Sequence, residues 1–326
     1  MEYIKINGLD LKAGRIALGT WAIGGWLWGG QEEQNSIDTI LKAIDLGINV
    51  IDTAPVYGFG VSEEVCGKAI KLSGKRDKLL IATKCGLDWY NGKVFRNSQK
   101  QRILKEIDDS LRRLDCDYID IYQLHWHDKN VPCEETAELL NTLRDKGKIK
   151  AIGTSNFSAE LMERFRKEAP LATNQPPYNL FERGIEEEVL PYCKVHGIAT
   201  LAYGAICRGL LSGKITEDTV FEGDDIRRMD PKFKAKNRKN YLNAVAELDN
   251  YAKEKYGKTV LELSIRWILD MNIELALWGA RKPAQLDSLE GIFGWNINKE
   301  DKAKIDEILN KYIPESIGAE FMAPGE

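Results

Sequence analysis

The chain has 326 residues, 43% of them hydrophobic and 29% charged, with a net charge of −4. Both signs are scattered, which argues against nucleic acid or an anionic membrane as partners. No apolar run approaches the ~20 residues that span a bilayer, and the first residues carry no signal-like apolar stretch. Six dispersed cysteines without a CxxC pair read as free thiols in a cytoplasmic protein, and three histidines without ligand spacing argue against a structural metal.

Residues 3–12 read as two short strand-like pieces around Asn7-Gly8, a hairpin turn signal. A rhythm follows. Strand-like runs at 15–19, 48–52, 79–83, 118–124, 149–153, 171–175, 198–202 and 274–278 alternate with helical patterns. The helical segments are 33–47, 62–72, 99–114, 134–146, 158–167, 185–196, 241–256, 259–271, 283–290 and 300–312. Eight alternations predict an α/β protein with a parallel sheet closed into a (β/α)8 barrel (TIM barrel), one domain over 1–326; an open doubly wound sheet is the alternative. Asn35 or Ser36 is placed to cap the first helix, and Gly47 and Gly147 stand where helices end. Residues 208–240, with Pro231 and mixed charge, read as a long loop after the seventh strand, overhanging the face where barrels carry their chemistry.

The strand ends carry that chemistry. Strand two runs Asn49-Val50-Ile51-Asp52, and the loop after it holds Tyr57. Strand three runs into Lys84, and strand four, through Gln123-Leu124, into His125. In one parallel barrel these four side chains meet at one rim. An acid, a phenol, an ammonium and an imidazole suit proton transfer to a carbonyl oxygen, with the ammonium expected to lower the phenol's pKa. No side chain donates hydride, so a nicotinamide cofactor is implied. Taken singly, each of these residues reads as readily as packing, a turn or a solvated loop. Gly58-Phe59-Gly60 imitates a dinucleotide fingerprint, but Glu63 occupies the third glycine's place, and Glu63 and Glu64 read as first-turn charges.

Asp52-Thr53-Ala54-x-x-Tyr57, Thr83-Lys84 and Gln123-Leu124-His125 together resemble the aldo-keto reductase superfamily, of bacterial or archaeal type. Gly153-Thr154-Ser155-Asn156-Phe157, Asn174-Gln175-Pro176-Pro177-Tyr178-Asn179, Tyr203 with Gly209-Leu210-Leu211-Ser212-Gly213-Lys214, and Gly279-Ala280-Arg281-Lys282-Pro283-Ala284-Gln285 extend the resemblance in order. It covers roughly residues 5–312. The resemblance implies an NADP(H)-dependent reductase of small aldehydes and ketones, with NAD(H) less favoured. In it Tyr57 is the general acid–base, Asp52 and Lys84 tune it, and His125 orients substrate. Ser155, Asn156 and Gln175 grip the carboxamide, Tyr203 stacks on the nicotinamide, and Thr20 and Trp21 lie beside it. Gly204, Ile206, Arg208, Gly209 and Lys214 meet the pyrophosphate, while Gly279, Arg281 and Gln285 clasp the adenosine phosphate. Gly204-Ala205 stands where many relatives carry Ser-Pro, and Ser288-Leu289 where many carry Glu-Asn.

Three tryptophans, Trp21, Trp26 and Trp28, are spaced by glycines in the first loop and read as an aromatic substrate wall, with barrel-rim packing the plainer alternative. Trp89, Trp126 and Trp295 are candidates to extend it. Two other functions compete: a Schiff-base lyase using Lys84, and a non-catalytic nicotinamide-binding regulatory module.

Overall fold

The computed structural model describes residues 1–325. Eight parallel strands close into a barrel: β3 (Ile16–Gly19), β4 (Val50–Asp52), β5 (Leu80–Cys85), β8 (Ile119–Leu124), β9 (Ile149–Ser155), β10 (Leu171–Gln175), β11 (Ala199–Ala202) and β12 (Leu275–Gly279). They neighbour each other in chain order, and β12 pairs with β3 to close the ring. Outside lie α1 (Glu33–Asp45), α2 (Val61–Ser73), α3 (Lys100–Leu114), α4 (Cys133–Asp145), α5 (Ala159–Arg166), α6 (Val189–His196), α7 (Ala235–Tyr256), α8 (Val260–Asp270) and α9 (Lys299–Tyr312). The closed barrel, not the open sheet, is the architecture.

The barrel is buried on both faces, which is why its strands read as continuous apolar runs rather than alternations. Ala17, Val50, Leu80, Ala82, Ile121, Leu201 and Leu275 fill the interior. Ile16, Leu18, Ile51, Ile81 and Ile119 point out against the helices. The interior is plugged from the N-terminal hairpin, whose β1 (Tyr3–Ile4) and β2 (Ala13–Gly14) pair antiparallel. The connection between them sends Ile6 and Leu9 into the core beneath the barrel. The hairpin is therefore wider than the Asn7-Gly8 signal suggests, and its second strand begins beyond residue 12.

Other local expectations shift for identifiable reasons. α1 begins one turn before Ser36, whose Oγ donates back to the Glu32 carbonyl instead of capping the helix. Residues 283–290 form two short 3₁₀ turns, at Pro283–Leu286 and Glu290–Ile292, because Pro283 can start a turn but the segment is too short to propagate a helix. α7 starts at Ala235, which shortens the irregular stretch after the seventh barrel strand to about 208–234. An additional antiparallel hairpin, β6 (Leu87–Tyr90) and β7 (Lys93–Arg96), follows β5 and was not legible as strands. Among the described residues, no helix is long and apolar enough to cross a membrane.

Candidate active site

Asp52 is the last residue of β4, Lys84 lies in β5, and His125 follows β8, so adjacent strands deliver them to one rim. Tyr57 comes from the turn after β4, and its position is set by a close backbone approach. A Cβ on Gly24 would stand 2.5 Å from the Tyr57 carbonyl carbon, and one on Gly58 would stand 2.1 Å from the Gly24 oxygen. Only glycines allow the first and second loops to touch there, and Gly58 also has φ +65°. The Tyr57 ring packs edge-on to His125, with centroids 5.9 Å apart, and parallel to Trp21 at 6.0 Å. The Lys84 ammonium sits 4.9 Å from the centroid of the Tyr57 ring.

Lys84 is fully buried, and its Nζ donates to Asp52 Oδ2 and to the Thr53 carbonyl, both at 2.8 Å. The other carboxylate oxygen of Asp52 accepts from Gln175 Nε2 at 2.7 Å and Gln123 Nε2 at 3.3 Å. Burial pulls the Lys84 pKa down, and Asp52 opposes that pull. Burial also holds the His125 imidazole well below its ordinary pKa, helped by the Lys84 charge, so the ring is neutral. The Tyr57 phenol is pushed well above its ordinary pKa by burial first and the Asp52 charge second. The sequence reading expected the reverse. The reason is burial, which disfavours the phenolate, while the ammonium is bonded to Asp52 and the Thr53 carbonyl. The result is a phenol that keeps its proton and an imidazole that has none to spare beyond its own N–H.

Beside this group lies a bed of amides. Ser155 Oγ donates to the Gln175 carbonyl at 2.8 Å, Asn156 Nδ2 donates to Ser155 Oγ at 3.0 Å, and the Tyr203 hydroxyl donates to Asn156 Oδ1 at 2.9 Å. From here a cleft runs across the ends of β11, β12 and β3. Gly19 and Gly279, paired in register, leave part of it bare of side chains. Thr20, Trp21, Gly204, Ile206, Arg208, Gly209, Arg281 and Gln285 line it, so these sequence candidates are brought together. Lys214 is exposed and is not among the lining residues. The Arg281 guanidinium donates to the Trp28 carbonyl at 2.6 Å, and Gln285 Oε1 accepts the backbone N–H groups of Arg281 and Lys282. The cleft fits a dinucleotide: guanidinium groups line it, glycines leave room, and the Trp28 indole N–H at its wall is buried without a partner among the described residues.

The segment after β11 closes over this cleft. Asp224 accepts the N–H groups of Leu27 at 2.8 Å and Gly29 at 3.2 Å, and the Ile226 N–H donates to the Leu27 carbonyl at 2.9 Å. Arg227, paired with Asp225, lies over the Phe221 ring at 4.3 Å and lines the cleft. Nothing in the charge pattern of this segment distinguished Arg227 or Asp224 from solvated surface.

On the other side of Tyr57 is a second chamber of about 350 Å³, with Tyr57, His125, Asn156 and Tyr203 at its polar end. Trp21, Trp26 and Trp126 line it, as the aromatic-wall reading expects. Trp28 does not; it turns edge-on to Trp21 and faces the cleft. Trp89 does not either, because Phe59 packs between it and Trp26. Trp295 packs on Tyr256, away from the site. Phe321, Met322 and Pro324 complete the wall, a contribution the sequence reading missed. Glu63, read as a first-turn charge, is fully buried, accepting from Thr83 Oγ1 at 2.6 Å and Arg113 Nε at 2.7 Å.

A closed parallel barrel whose second, third and fourth strands bring Asp52, Lys84 and His125 to one rim beside Tyr57, flanked by a cleft lined with glycines and guanidinium groups, defines a barrel oxidoreductase. The profile of the aldo/keto reductase family matches residues 15–310, and the chain belongs to that family, whose members use nicotinamide cofactors. It is 57% identical over 325 residues to the aldo-keto reductase YhdN of Bacillus subtilis, covering 99% of this chain and 98% of the relative. It is 35% identical over 319 residues to the NADH-specific methylglyoxal reductase of Escherichia coli, covering 92% and 95%. The solved glycerol dehydrogenase AKR11B4 of Gluconobacter oxydans superposes with a TM-score of 0.89 at 51% identity, covering 98% of this chain and 99% of that one.

Proposed function

We propose that the protein reduces small aldehydes and ketones to alcohols, with Tyr57 delivering the proton to the carbonyl oxygen and NADP(H) as the preferred cofactor. The observation that carries this reading is the Tyr57 hydroxyl at the junction of cleft and chamber, in a setting that keeps it protonated. Ser155, Asn156 and Gln175 would hold a carboxamide, Tyr203 would lie against its ring, and Arg281 with Gln285 would meet an adenosine phosphate. A bound nicotinamide supplies hydride to the carbonyl carbon. Tyr57 gives its proton to the oxygen, and neutral His125 donates a hydrogen bond to the same oxygen and fixes its direction. The buried Lys84–Asp52 pair holds the floor of the site.

Arg281 favours a 2′-phosphate, since a guanidinium offers a bidentate partner. The NADH-specific Escherichia coli relative makes NAD(H) the competing choice. A Schiff-base role for Lys84 is disfavoured, because its Nζ is fully buried and committed to two acceptors. The test is NADPH oxidation with methylglyoxal and 4-nitrobenzaldehyde, and titration of NADPH against NADH by tryptophan quenching. Wild-type turnover that disappears in Tyr57→Phe is expected; turnover that survives the loss of that hydroxyl overturns the role given to it.

A further inference from the structure

One carboxyl is buried behind the proton-transfer group without belonging to it. Glu106 lies on α3 and is 3% exposed. Among the described residues its hydrogen bonds go to two groups. Oε2 accepts the Gly86 N–H at 2.9 Å, and Oε1 accepts from Arg102 Nη2 at 3.2 Å. Arg102 in turn donates to the Leu87 carbonyl at 2.8 Å and pairs with Asp88 at 3.2 Å. A buried carboxyl costs desolvation that an apolar side chain does not, so the backbone group it reaches shows what it does.

That group is one peptide unit. The Gly86 N–H belongs to the Cys85–Gly86 peptide, at the end of the strand that carries Lys84. The carbonyl of the same peptide, that of Cys85, accepts the His125 N–H at 2.9 Å. A trans peptide is planar, so fixing its N–H fixes the direction of its C=O. Hydrogen bonds at the two ends of one peptide also polarise each other. The unit is wedged in place. Gly86 has φ +87°, and a Cβ there would stand 2.5 Å from Leu124 Cδ1 and 3.1 Å from Ser98 Oγ. The Asn97 N–H donates to the Gly86 carbonyl at 2.9 Å. On its far side, the His125 carbonyl accepts from Asn156 Nδ2 at 3.2 Å. Burial pushes the Glu106 carboxyl up to about 8, with Arg102 and the Gly86 N–H opposing the rise and Glu63 and Asp88 adding to it. Ionised or protonated, the carboxyl keeps one oxygen that accepts from Gly86, so the clamp persists across neutral pH.

We propose that Glu106 is a positioning residue for His125, acting through the Cys85–Gly86 peptide. Glu106 lines neither the cleft nor the chamber, so it acts only through the backbone it holds. The imidazole must meet the carbonyl oxygen where charge develops, and a displacement of about 1 Å at such a site costs up to roughly a hundredfold in rate. The clamp ties the end of the lysine's strand to the start of the histidine's loop, so the two groups keep a fixed relation. This rests on the reductase reading above, in which His125 orients the carbonyl oxygen.

The test measures NADPH oxidation with 4-nitrobenzaldehyde and methylglyoxal for wild type, Glu106→Leu, Glu106→Gln, His125→Ala and the double variant Glu106→Leu with His125→Ala. Glu106→Leu leaves the Gly86 N–H without an acceptor. It is expected to lower kcat tenfold or more with both probes, with KM within threefold and NADPH affinity by quenching within twofold. Glu106→Gln keeps an acceptor and is expected to hold kcat within threefold of wild type. In the His125→Ala background, Glu106→Leu is expected to lower kcat less than twofold further, since the group it positions is gone. A Glu106→Leu kcat within twofold of wild type, or a full tenfold further loss without His125, overturns the proposal. If Glu106→Leu does not fold, Glu106→Asp, one methylene short of Gly86, decides: kcat lowered fivefold or more supports the proposal, and kcat within twofold overturns it. A wild type that oxidises NADPH with neither probe, or a His125→Ala variant as active as wild type, overturns the reductase reading instead, so the two failures are distinguishable.

Discussion

The cleft and the chamber meet at Tyr57 but are built on opposite principles. The cleft is assembled from glycines, backbone amides and guanidinium groups at the ends of three neighbouring strands. Its floor is fixed by the sheet register, and its polar contacts are made before any ligand arrives. The chamber is assembled from aromatic and aliphatic side chains of distant segments, and Phe321, Met322 and Pro324 form its outer wall. A phosphate needs donors at set points, so that half tolerates little variation. An apolar body needs only shape and exclusion of water, so that half can differ between relatives with the same barrel.

The largest effect is expected at the junction. Tyr57→Phe should lower kcat for carbonyl reduction by about a thousandfold, roughly 4 kcal/mol of barrier, with NADPH affinity intact. Because the Tyr57 pKa lies above its ordinary value, the phenol stays protonated through neutral pH. Reduction should then be flat between about pH 6 and 9, while alcohol oxidation, which needs the phenolate, should rise roughly tenfold per pH unit. A bell-shaped reduction profile centred near neutrality would contradict that sign.

Next comes the floor shared by both halves. Lys84→Met leaves the Asp52 carboxylate buried without its cation, and should cost about 3–5 kcal/mol of stability as well as most activity. Urea unfolding measures the first and NADPH oxidation the second. The double variant Lys84→Met with Asp52→Leu should regain stability but not activity, separating the two roles.

Smaller effects separate the halves. Arg281→Ala should weaken NADPH binding by about tenfold to a hundredfold, the range of a lost charge-assisted pair, and change NADH binding far less. Equal losses for both nucleotides would place Arg281 in general support of the cleft, through its bond to the Trp28 carbonyl. Asp224→Ala removes two bonds that hold the segment after β11 to the first loop. It should speed NADPH release several-fold in stopped-flow fluorescence and leave aldehyde KM near wild type.

The barrel was legible because the buried strands are short apolar runs, and the second, third and fourth carry polar residues at or just past their ends, in step with the rhythm. Asp52, Lys84 and His125 could be placed from sequence for that reason. The cleft was legible through motifs such as Gly153–Phe157 and Gly279–Gln285, although Lys214 lies outside it. The chamber was legible only in part. Tryptophan spacing does not say which way a ring turns, so Trp28 and Trp89 were given to the wrong wall. Phe321 and Met322 sit beyond the last helix in a stretch without periodicity, and only the fold brings them back across the barrel. The sign of the Tyr57 shift depended on how deeply the phenol is buried, which spacing does not encode.

The contact between Gly24 and Gly58 limits how this scaffold can be re-engineered. Two loops that arise from different strands share one van der Waals surface, and Tyr57 rides on it. Grafting either loop alone from a homologue with a side chain at that point would push Tyr57 aside. Chimeras on this barrel must therefore exchange the two loops as a matched pair.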